Sequence, residues 1–307
     1  MSTLAAYSPA QIARYFDRLG LPQEQRIQHV ASLDATDALG YLARLQTLHL
    51  AEIPFENISL HYSTHHSVSV HPHQLFKKII ADNNGRGGYC MENNALFGTL
   101  LRSLGFTVYP GGGRVFTGTA WTGWSHMINI VTIGDTKYHV DVGFGGDAPT
   151  APMALDRTGT VHKSIQPASA RLQWRNIPGN TDPSQRLWVY EYRRSDDCDW
   201  EMKYSFTELE FLPEDFALIN YFTSTSRHTW FTRMIVADKK IVGPDGELIG
   251  KMTLAATTLK WNIRGEKTKE IEFKSEADRI EALEKYFGIK LDQAERDSIA
   301  GLASEIK

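Results

Sequence analysis

Cysteine is scarce in this 307-residue chain, which has only Cys90 and Cys198, far apart in the sequence. Two such distant thiols give little support to a disulfide scaffold. We therefore expect both to be reduced and the protein to be cytoplasmic. Cys198 stands in a polar run, 195–199, that predicts an exposed surface thiol. The sequence around Cys90 is different and does not predict an exposed surface thiol.

An excess of one charge and long apolar runs are also lacking. The chain has 33 Lys and Arg against 36 Asp and Glu, a net charge of -3, so no basic surface for nucleic acid is predicted. No apolar stretch approaches the ~20 residues of a membrane helix. The first residues lack a basic segment followed by an apolar run, so we expect neither a signal peptide nor a membrane partner.

Motifs for phosphate loops and metal sites are missing as well. There is no Walker-type loop, and Gly111–Gly113 before Arg114 predicts a flexible turn. No metal site is predicted, because a local group of histidines does not follow a zinc spacing. These histidines are at 61, 65, 66, 71 and 73.

The first third of the chain has the pattern of helices. Ser8 followed by Pro9 predicts a helix that ends at Gly20. Asp37 is the expected cap of a second helix, which ends before Pro54. A third helix is expected from Pro72, and a fourth from Cys90 to Gly105. Residues 1–105 are therefore predicted to be a helical domain.

The hydrophobic period changes to that of strands after residue 105. Strands are expected at 115–116, 127–133, 137–142, 187–193 and 200–206, with a long loop or insertion over 158–185. A short helix, further strands and a closing helix follow. The chain thus predicts an α+β fold with a helical bundle (1–105), a central antiparallel β-barrel (106–206) and a C-terminal α/β lid (207–307).

Cys90 follows Gly87 and Gly88 and opens an apolar helical run, which puts a thiol at a helix N-terminus. The free N–H groups there favour a thiolate. His126 starts a strand after Thr122-Gly123, and Asp141 precedes Gly-Phe-Gly at the far end of the neighbouring strand. In a hairpin turning at Gly134-Asp135, this histidine and this aspartate lie near one open end. The three residues are therefore a candidate activated-nucleophile triad.

The chain resembles the arylamine N-acetyltransferases over nearly its whole length. Five segments in the family's order carry the resemblance: Ile53–Ser59, Arg-Gly-Gly-x-Cys at 86–90, Thr-Gly-x-x-His at 122–126, Val-Asp-x-Gly-Phe-Gly at 140–145, and Ser224-Thr225-Ser226. The resemblance implies a ping-pong acyl transfer from acetyl-CoA, or malonyl-CoA, to an arylamine or arylhydrazine through an acyl-thioenzyme at Cys90. No tightly bound cofactor is implied.

The resemblance also implies roles for other residues. Phe55 and Phe144 would form apolar walls for the aromatic amine, and Arg86 with Glu56 a structural ion pair. The acyl-CoA would be held by Thr122, Gly123, Phe222, Ser224, Thr225, Ser226 and His228. We favour acetyl as the acyl group. A malonyl carboxylate would need a nearby cation, for which Arg227 or His228 is available.

Two alternatives remain open at this point. A Cys-His-Asp triad in this order also occurs in papain-like and transglutaminase-like enzymes, so the core is expected to resemble theirs, and an amide hydrolase is the main rival. A scaffold that keeps the fold without activity is the second. The acceptor, the role of 158–185 and the oligomeric state, a monomer or weak dimer, stay undecided.

Overall fold

The computed structural model describes residues 5–307 and shows how local sequence sets the helix starts. Ser8 caps the first helix as expected and forms a capping box with Gln11. The second helix begins earlier than predicted, because Asp34 is its cap. The backbone N–H of Asp37 donates to the Asp34 carboxylate at 2.9 Å, so the prediction that Asp37 is the cap was wrong.

The fold contains seven α-helices and thirteen β-strands within residues 5–307. The helices are α1 (Pro9–Arg18), α2 (Ala35–Glu52), α3 (Pro72–Phe76, continued by a π-helical turn, Lys77–Ala81), α4 (Cys90–Ser103), α5 (Pro213–Thr225), α6 (Glu276–Ala282, continued by a π-helical turn, Leu283–Phe287) and α7 (Gln293–Asp297). The strands are β1 (Phe55–Glu56), β2 (Thr107–Phe116), β3 (Trp121–Ile133), β4 (Thr136–Val140), β5 (Met153–Ala154), β6 (Val161–Lys163), β7 (Ser169–Arg175), β8 (Leu187–Arg193), β9 (Glu201–Glu210), β10 (Val236–Val242), β11 (Leu248–Ala255), β12 (Thr258–Ile263) and β13 (Glu266–Glu272).

Eight strands form one antiparallel sheet in the order β5-β4-β3-β2-β9-β8-β7-β6, which curves into a nearly closed barrel. The α+β fold is therefore confirmed. Strands β6 and β7 lie inside 158–185, so the prediction of a long loop there was wrong. The alternation in β7 buries Ala170 and Leu172 in the barrel core, and this short pattern was hidden between two loops.

The glycine run at 111–113 lies within β2 and not in a flexible turn, which corrects the sequence interpretation. A side chain on Gly112 would meet the Phe211 ring at 2.1 Å, and one on Gly113 would meet the Ser205 carbonyl oxygen at 2.9 Å. The glycines are required there because the aromatic ring and the neighbouring strand β9 approach the backbone closely.

The second sheet has the order β1-β10-β11-β12-β13 and packs against α6 and the C-terminal residues. Its edge strand β1 comes from the N-terminal third, where Phe55 pairs with Asp238. The boundaries predicted at 105/106 and 206/207 stay predictions, although β9 runs on to Glu210 and β1 joins the C-terminal sheet. Within residues 5–307, no helix has the length and apolar character needed to cross a membrane.

Candidate active site

Cys90 is the first residue of α4 and is 5% exposed. The preceding turn is fixed because the Glu92 carboxylate accepts a hydrogen bond from the Tyr89 backbone N–H at 3.1 Å. The first N–H groups of the helix have no partner within it, so the thiol sits in the positive field of a helix N-terminus. Its Sγ atom lies 3.7 Å from the carbonyl oxygen of Ser125, one residue before His126.

His126 and Asp141 meet at the open end of the β3–β4 hairpin, as the register predicted. His126 Nε2 donates to Asp141 Oδ2 at 2.8 Å, and both side chains are buried. Burial alone lowers the pKa of an imidazole, but the Asp141 carboxylate, with a smaller contribution from the Cys90 side chain, raises the pKa of His126 to about 10. Burial also opposes ionisation of Asp141, yet the imidazolium holds the pKa of this carboxyl down at about 2. The geometry favours a protonated imidazole beside the thiol.

The second oxygen of Asp141 is held by α4 and by its own loop. Oδ1 accepts from the Asn94 amide at 2.8 Å and from the Gly143 backbone N–H at 2.7 Å. The other N–H of the Asn94 amide reaches the Met127 carbonyl oxygen at 2.7 Å, so one side chain ties the cysteine helix to β3 and to the loop after β4. Tyr204 packs its ring 4.7 Å from the His126 ring. Asn94 lies beyond the Arg-Gly-Gly-x-Cys segment at 86–90, and its role was not predicted from the sequence.

Arg86 and Glu56 are both buried and form the expected ion pair, with Arg86 Nε donating to Glu56 Oε1 at 3.1 Å. The same carboxylate accepts from the Gly87 backbone N–H at 3.1 Å. Burial opposes the charge on Glu56, but Arg86 and Lys78 lower the pKa of this carboxyl to about 2. The pair therefore ties β1 to the loop that ends at the cysteine.

A cavity of about 940 Å³ opens at Cys90 and His126 and is lined mainly by apolar and aromatic side chains. Phe55 and Phe144 both line it, as expected for walls of an aromatic site. Four of the residues assigned to acyl-CoA line it too: Thr122, Gly123, Phe222 and His228. The described residues of the lining include no Lys or Arg.

The remaining three residues assigned to acyl-CoA are not in the cavity wall. Ser224 and Thr225 form the last turn of α5, where both hydroxyls donate to the Tyr221 carbonyl oxygen. Ser226 follows the helix, and its Oγ accepts from the His228 backbone N–H at 3.2 Å. These residues thus shape the turn that presents His228, and their contact with acyl-CoA stays a prediction.

Two polar residues of the cavity wall, Asp238 and Thr253, were not predicted from the sequence. Both lie on strands of the C-terminal sheet, more than a hundred positions from Cys90, and neither belongs to a motif. Strand alternation gave no signal for Asp238, because β10 buries three consecutive residues, Val236, Ala237 and Asp238.

A buried thiol at a helix start, an imidazole, a carboxylate and an apolar cavity are typical of enzymes with a cysteine nucleophile. Comparison with known proteins shows which family of cysteine-nucleophile enzymes the chain belongs to. Residues 38–296 match the N-acetyltransferase family, so the chain belongs to the arylamine N-acetyltransferase family and is an acyltransferase.

Similar proteins support the assignment over most of the chain. The N-malonyltransferase FDB2 of Fusarium pseudograminearum is 35% identical over 95% of this chain and 92% of its own. The arylamine N-acetyltransferase of Escherichia coli is 26% identical over 82% and 83%. The Mycobacterium marinum enzyme, solved in complex with CoA, aligns with a TM-score of 0.75 at 26% identity, over 95% of this chain and 99% of that one.

Proposed function

We propose that this enzyme transfers an acetyl group from acetyl-CoA to the nitrogen of aromatic amines or hydrazines by a ping-pong mechanism. The observation that carries the proposal is the Cys90–His126–Asp141 arrangement at the wall of an apolar cavity. The family membership and the CoA complex of the Mycobacterium marinum relative support acyl-CoA as the donor.

The first half-reaction begins with the Cys90 thiolate beside protonated His126. The thiolate attacks the thioester carbonyl carbon, and the backbone N–H of Cys90, at the start of α4, stabilises the oxyanion. The bond between the acyl carbon and the CoA sulfur then breaks. CoA takes the proton from His126 and leaves as a thiol, so that Cys90 carries the acyl group and the imidazole is neutral.

In the second half-reaction the amine nitrogen attacks the acyl carbon of the thioenzyme. Neutral His126 accepts the proton from the nitrogen, and Cys90 leaves as a thiolate, which restores the starting ion pair. Asp141 keeps the imidazole oriented through both steps, because its Oδ2 holds Nε2 and leaves Nδ1 for the reacting groups. Phe55 and Phe144 offer apolar surfaces to the aromatic ring of the acceptor.

Malonyl-CoA is a second candidate donor, favoured by the 35% identity to an N-malonyltransferase over 95% of the chain. Against it, no Lys or Arg is among the described residues of the cavity wall, and a malonyl carboxylate gains most from a cationic partner. Comparing kcat/KM for the two donors decides between them. A preference for malonyl-CoA would overturn our choice of acetyl.

The test of the proposal is the intact mass of the protein after mixing with acetyl-CoA or malonyl-CoA without an amine. We expect a gain of one acyl group with release of free CoA, and no gain for Cys90→Ala. No adduct and no CoA release would contradict the proposal. Cleavage of an amide in the absence of CoA would instead favour the hydrolase.

A further inference from the structure

The thiol and the imidazole are almost inaccessible to solvent, although the cavity beside them is wide. Cys90 is 5% exposed and His126 is 1% exposed, at the wall of a cavity of about 940 Å³. The Phe144 ring packs on the imidazole edge to face, with the ring centroids 5.3 Å apart, and it also packs on Tyr204 at 4.7 Å. Because Phe144 lines the cavity as well, its ring helps to shield the imidazole from the water there.

Exclusion of water decides what an enzyme with an acyl-cysteine produces. After the first half-reaction of the proposed mechanism, Cys90 carries the acyl group and His126 is neutral. A neutral imidazole can accept a proton from water as well as from an amine. The water oxygen would then attack the acyl carbon, the bond to the sulfur would break, and Cys90 would leave as a thiolate beside protonated His126. The acyl group would be lost as a carboxylic acid, so transfer to an amine requires that water is kept from this position.

Phe144 belongs to the active-site loop, residues 141–147, whose first half lies against the other two triad residues. The Gly143 backbone N–H donates to Asp141 Oδ1 at 2.7 Å. A side chain on Gly143 would lie 2.7 Å from Cys90 Cα, so the backbone of the loop is in direct contact with the first residue of α4. A displacement of the loop would therefore move the shielding ring and disturb the surroundings of the thiol together.

Two lysines of the C-terminal sheet hold the second half of the active-site loop. They are directly paired in the sheet register, Lys240 on β10 and Lys251 on β11. Lys240 Nζ donates to the carbonyl oxygens of Gly145 and Gly146 at 2.7 and 2.8 Å. Lys251 Nζ donates to the Gly146 carbonyl oxygen at 3.0 Å and to Asp147 Oδ1 at 2.8 Å. The two ammonium groups thus meet at one carbonyl oxygen of the loop.

Lys240 is the more deeply buried of the two lysines. Its third N–H donates to Asp238 Oδ1 at 2.9 Å, so all three N–H groups are used. An apolar pair of similar volume is often at least as stable as a buried ion pair. Such a pair could not provide the two hydrogen bonds to the loop, so these bonds are what the lysine specifically contributes.

We propose that Lys240 is a positioning residue that keeps this enzyme a transferase, because it holds Phe144 against His126 and so prevents hydrolysis of the acyl-thioenzyme. This inference rests on the proposed function. Lys240 contacts no reacting atom and acts only through the loop. Without it, the Gly145 carbonyl oxygen, next to Phe144, loses the side-chain donor that binds it, and Lys251 holds the loop only from Gly146 onwards.

The first measurement uses the wild-type enzyme. The protein is acylated with acetyl-CoA and separated from CoA, and the loss of the acyl group is followed by intact mass in buffer alone and with saturating aniline or phenylhydrazine. Excluded water lacks general-base assistance from the imidazole, so we expect hydrolysis to be slower than transfer to the better acceptor by about 100-fold or more. Equal rates would overturn the inference, since no water would then be excluded.

Lys240→Met removes the donors to the loop and keeps a side chain of similar length. We expect its thioenzyme to react roughly tenfold faster with water and roughly tenfold more slowly with the amine, because Phe144 and the loop are displaced. The matched control is Lys239→Met on the same strand, whose side chain instead lies 3.7 Å from the Glu52 carboxylate. The control should keep both wild-type rates. An unchanged ratio of the two rates in Lys240→Met would overturn the inference.

The double variant Asp238→Asn/Lys240→Met separates loop positioning from charge balance, and it replaces the single variant if an unpaired Asp238 prevents folding. It has no buried charge at this place but still lacks the donors to the loop, so we expect rapid hydrolysis again. Wild-type hydrolysis in the double variant would show that Lys240 only balances Asp238, and would overturn the inference. If neither variant folds, Phe144→Ala tests the ring directly, and slow hydrolysis there would also overturn it.

Failure of the inference and failure of the proposed function give different results. Formation of the acyl-thioenzyme is measured in every variant before water or an amine is allowed to react with it. A wild-type protein that forms no thioenzyme, or one whose thioenzyme reacts with neither aniline nor phenylhydrazine, overturns the proposed function. A thioenzyme that transfers its acyl group normally and is hydrolysed equally slowly in all variants overturns only the role of Lys240.

Discussion

Asn94 is the residue that connects the three members of the proposed triad. Its amide donates to Asp141 Oδ1 and to the Met127 carbonyl oxygen, while its Oδ1 accepts from the Val142 backbone N–H at 3.0 Å. Since Asn94 lies one helical turn after Cys90, the same side chain fixes the distance from the thiol to the carboxylate. We regard it as a positioning residue, because it acts through Asp141.

Replacement of Asn94 should impair turnover more than folding. For Asn94→Ala we expect kcat/KM to fall roughly 10- to 100-fold, because Asp141 and hence His126 lose their orientation. The control is Asn93→Ala, on the same helix and equally buried, whose amide binds the Pro54 and Gly88 carbonyl oxygens instead. An equal loss of kcat/KM in both variants would argue against a specific role for Asn94.

The charge on His126 gives a prediction about pH. Because its pKa is raised to about 10, we expect its ring resonances in an NMR titration to stay those of the imidazolium from about pH 6 to about pH 8. Asp141→Asn removes the main cause of the rise and leaves burial, which lowers the pKa. The midpoint should then fall towards 6.5 or below it.

His139 serves as an internal control in the same spectra. It is also buried, and burial lowers its pKa to about 4, so it should remain neutral in both proteins. If the His126 signals titrated near 6.5 in the wild type, the proposed ion pair would be contradicted.

The sequence motifs predicted three candidate residues that lie close together in the structure, although they did not predict the whole cavity wall. Cys90, His126 and Asp141 are recognisable because each follows or precedes a glycine-containing turn at the end of an element. Asp238 and Thr253 were not predictable, because their position depends on how two sheets meet and not on any local pattern.

At the level of elements, the loop after β4 is the most constrained part of the site. Gly143 is needed there because a side chain would lie 2.7 Å from Cys90 Cα and 2.7 Å from Asn94 Nδ2. The backbone of this loop thus touches the first turn of α4, and Lys240 holds its other end through the carbonyl oxygens of Gly145 and Gly146.

Two glycine-to-alanine variants test this constraint. For Gly143→Ala we expect kcat/KM to fall about 100-fold or more, because backbone atoms at the thiol have to shift. Gly40 in α2 is exposed and has open space around it. Gly40→Ala should leave kcat/KM unchanged and raise the free energy of unfolding by roughly 0.5–1 kcal/mol. Wild-type activity in Gly143→Ala would show that the loop is not constrained.

Elements with strong local signals were the ones that could be predicted. Ser8 and Pro9 specify the start of α1 by capping alone, whereas at α2 two aspartates, Asp34 and Asp37, compete for the cap and the earlier one prevails. The strand β2 was only partly predicted. Its three glycines are typical of a turn, and the sequence does not show that Phe211 packs against them.

At the scale of the whole molecule, the short strand β1 joins the first third of the chain to the last. Phe55 and Glu56 pair with Asp238 and Ala237, and Glu56 is bound to Arg86 before the cysteine. Ile58 and Tyr62, just after β1, are buried in the C-terminal core. The predicted N-terminal and C-terminal domains therefore share a core.

Arg86→Ala tests how far stability depends on this connection. Removal of one partner of a buried ion pair leaves the other charge unpaired, so we expect the free energy of unfolding in urea to fall by about 3–5 kcal/mol. The control is Lys77→Ala, which removes an exposed pair with Asp82 and should cost less than about 1 kcal/mol. A wild-type melting temperature with reduced activity would contradict the structural assignment.

Acid should weaken the same connection. The pKa of Glu56 is lowered from 4.5 to about 2, so its contribution to stability is complete above pH 4.5 and is lost as the pH falls towards 2. We expect the difference in unfolding free energy between the wild type and Glu56→Gln to shrink over that interval. A constant difference would show that Glu56 does not ionise differently in the folded protein.

The position of β1 also bears on how the enzyme is made. During synthesis the ribosome releases Cys90, His126 and Asp141 long before it reaches β10, the strand that β1 needs as its neighbour. A nascent chain that ends with the barrel has an unpaired β1 edge and lacks Asp238. We therefore expect the active site around the Cys90 thiol to remain incomplete until translation is almost finished. Thioester chemistry would then begin only in the complete protein.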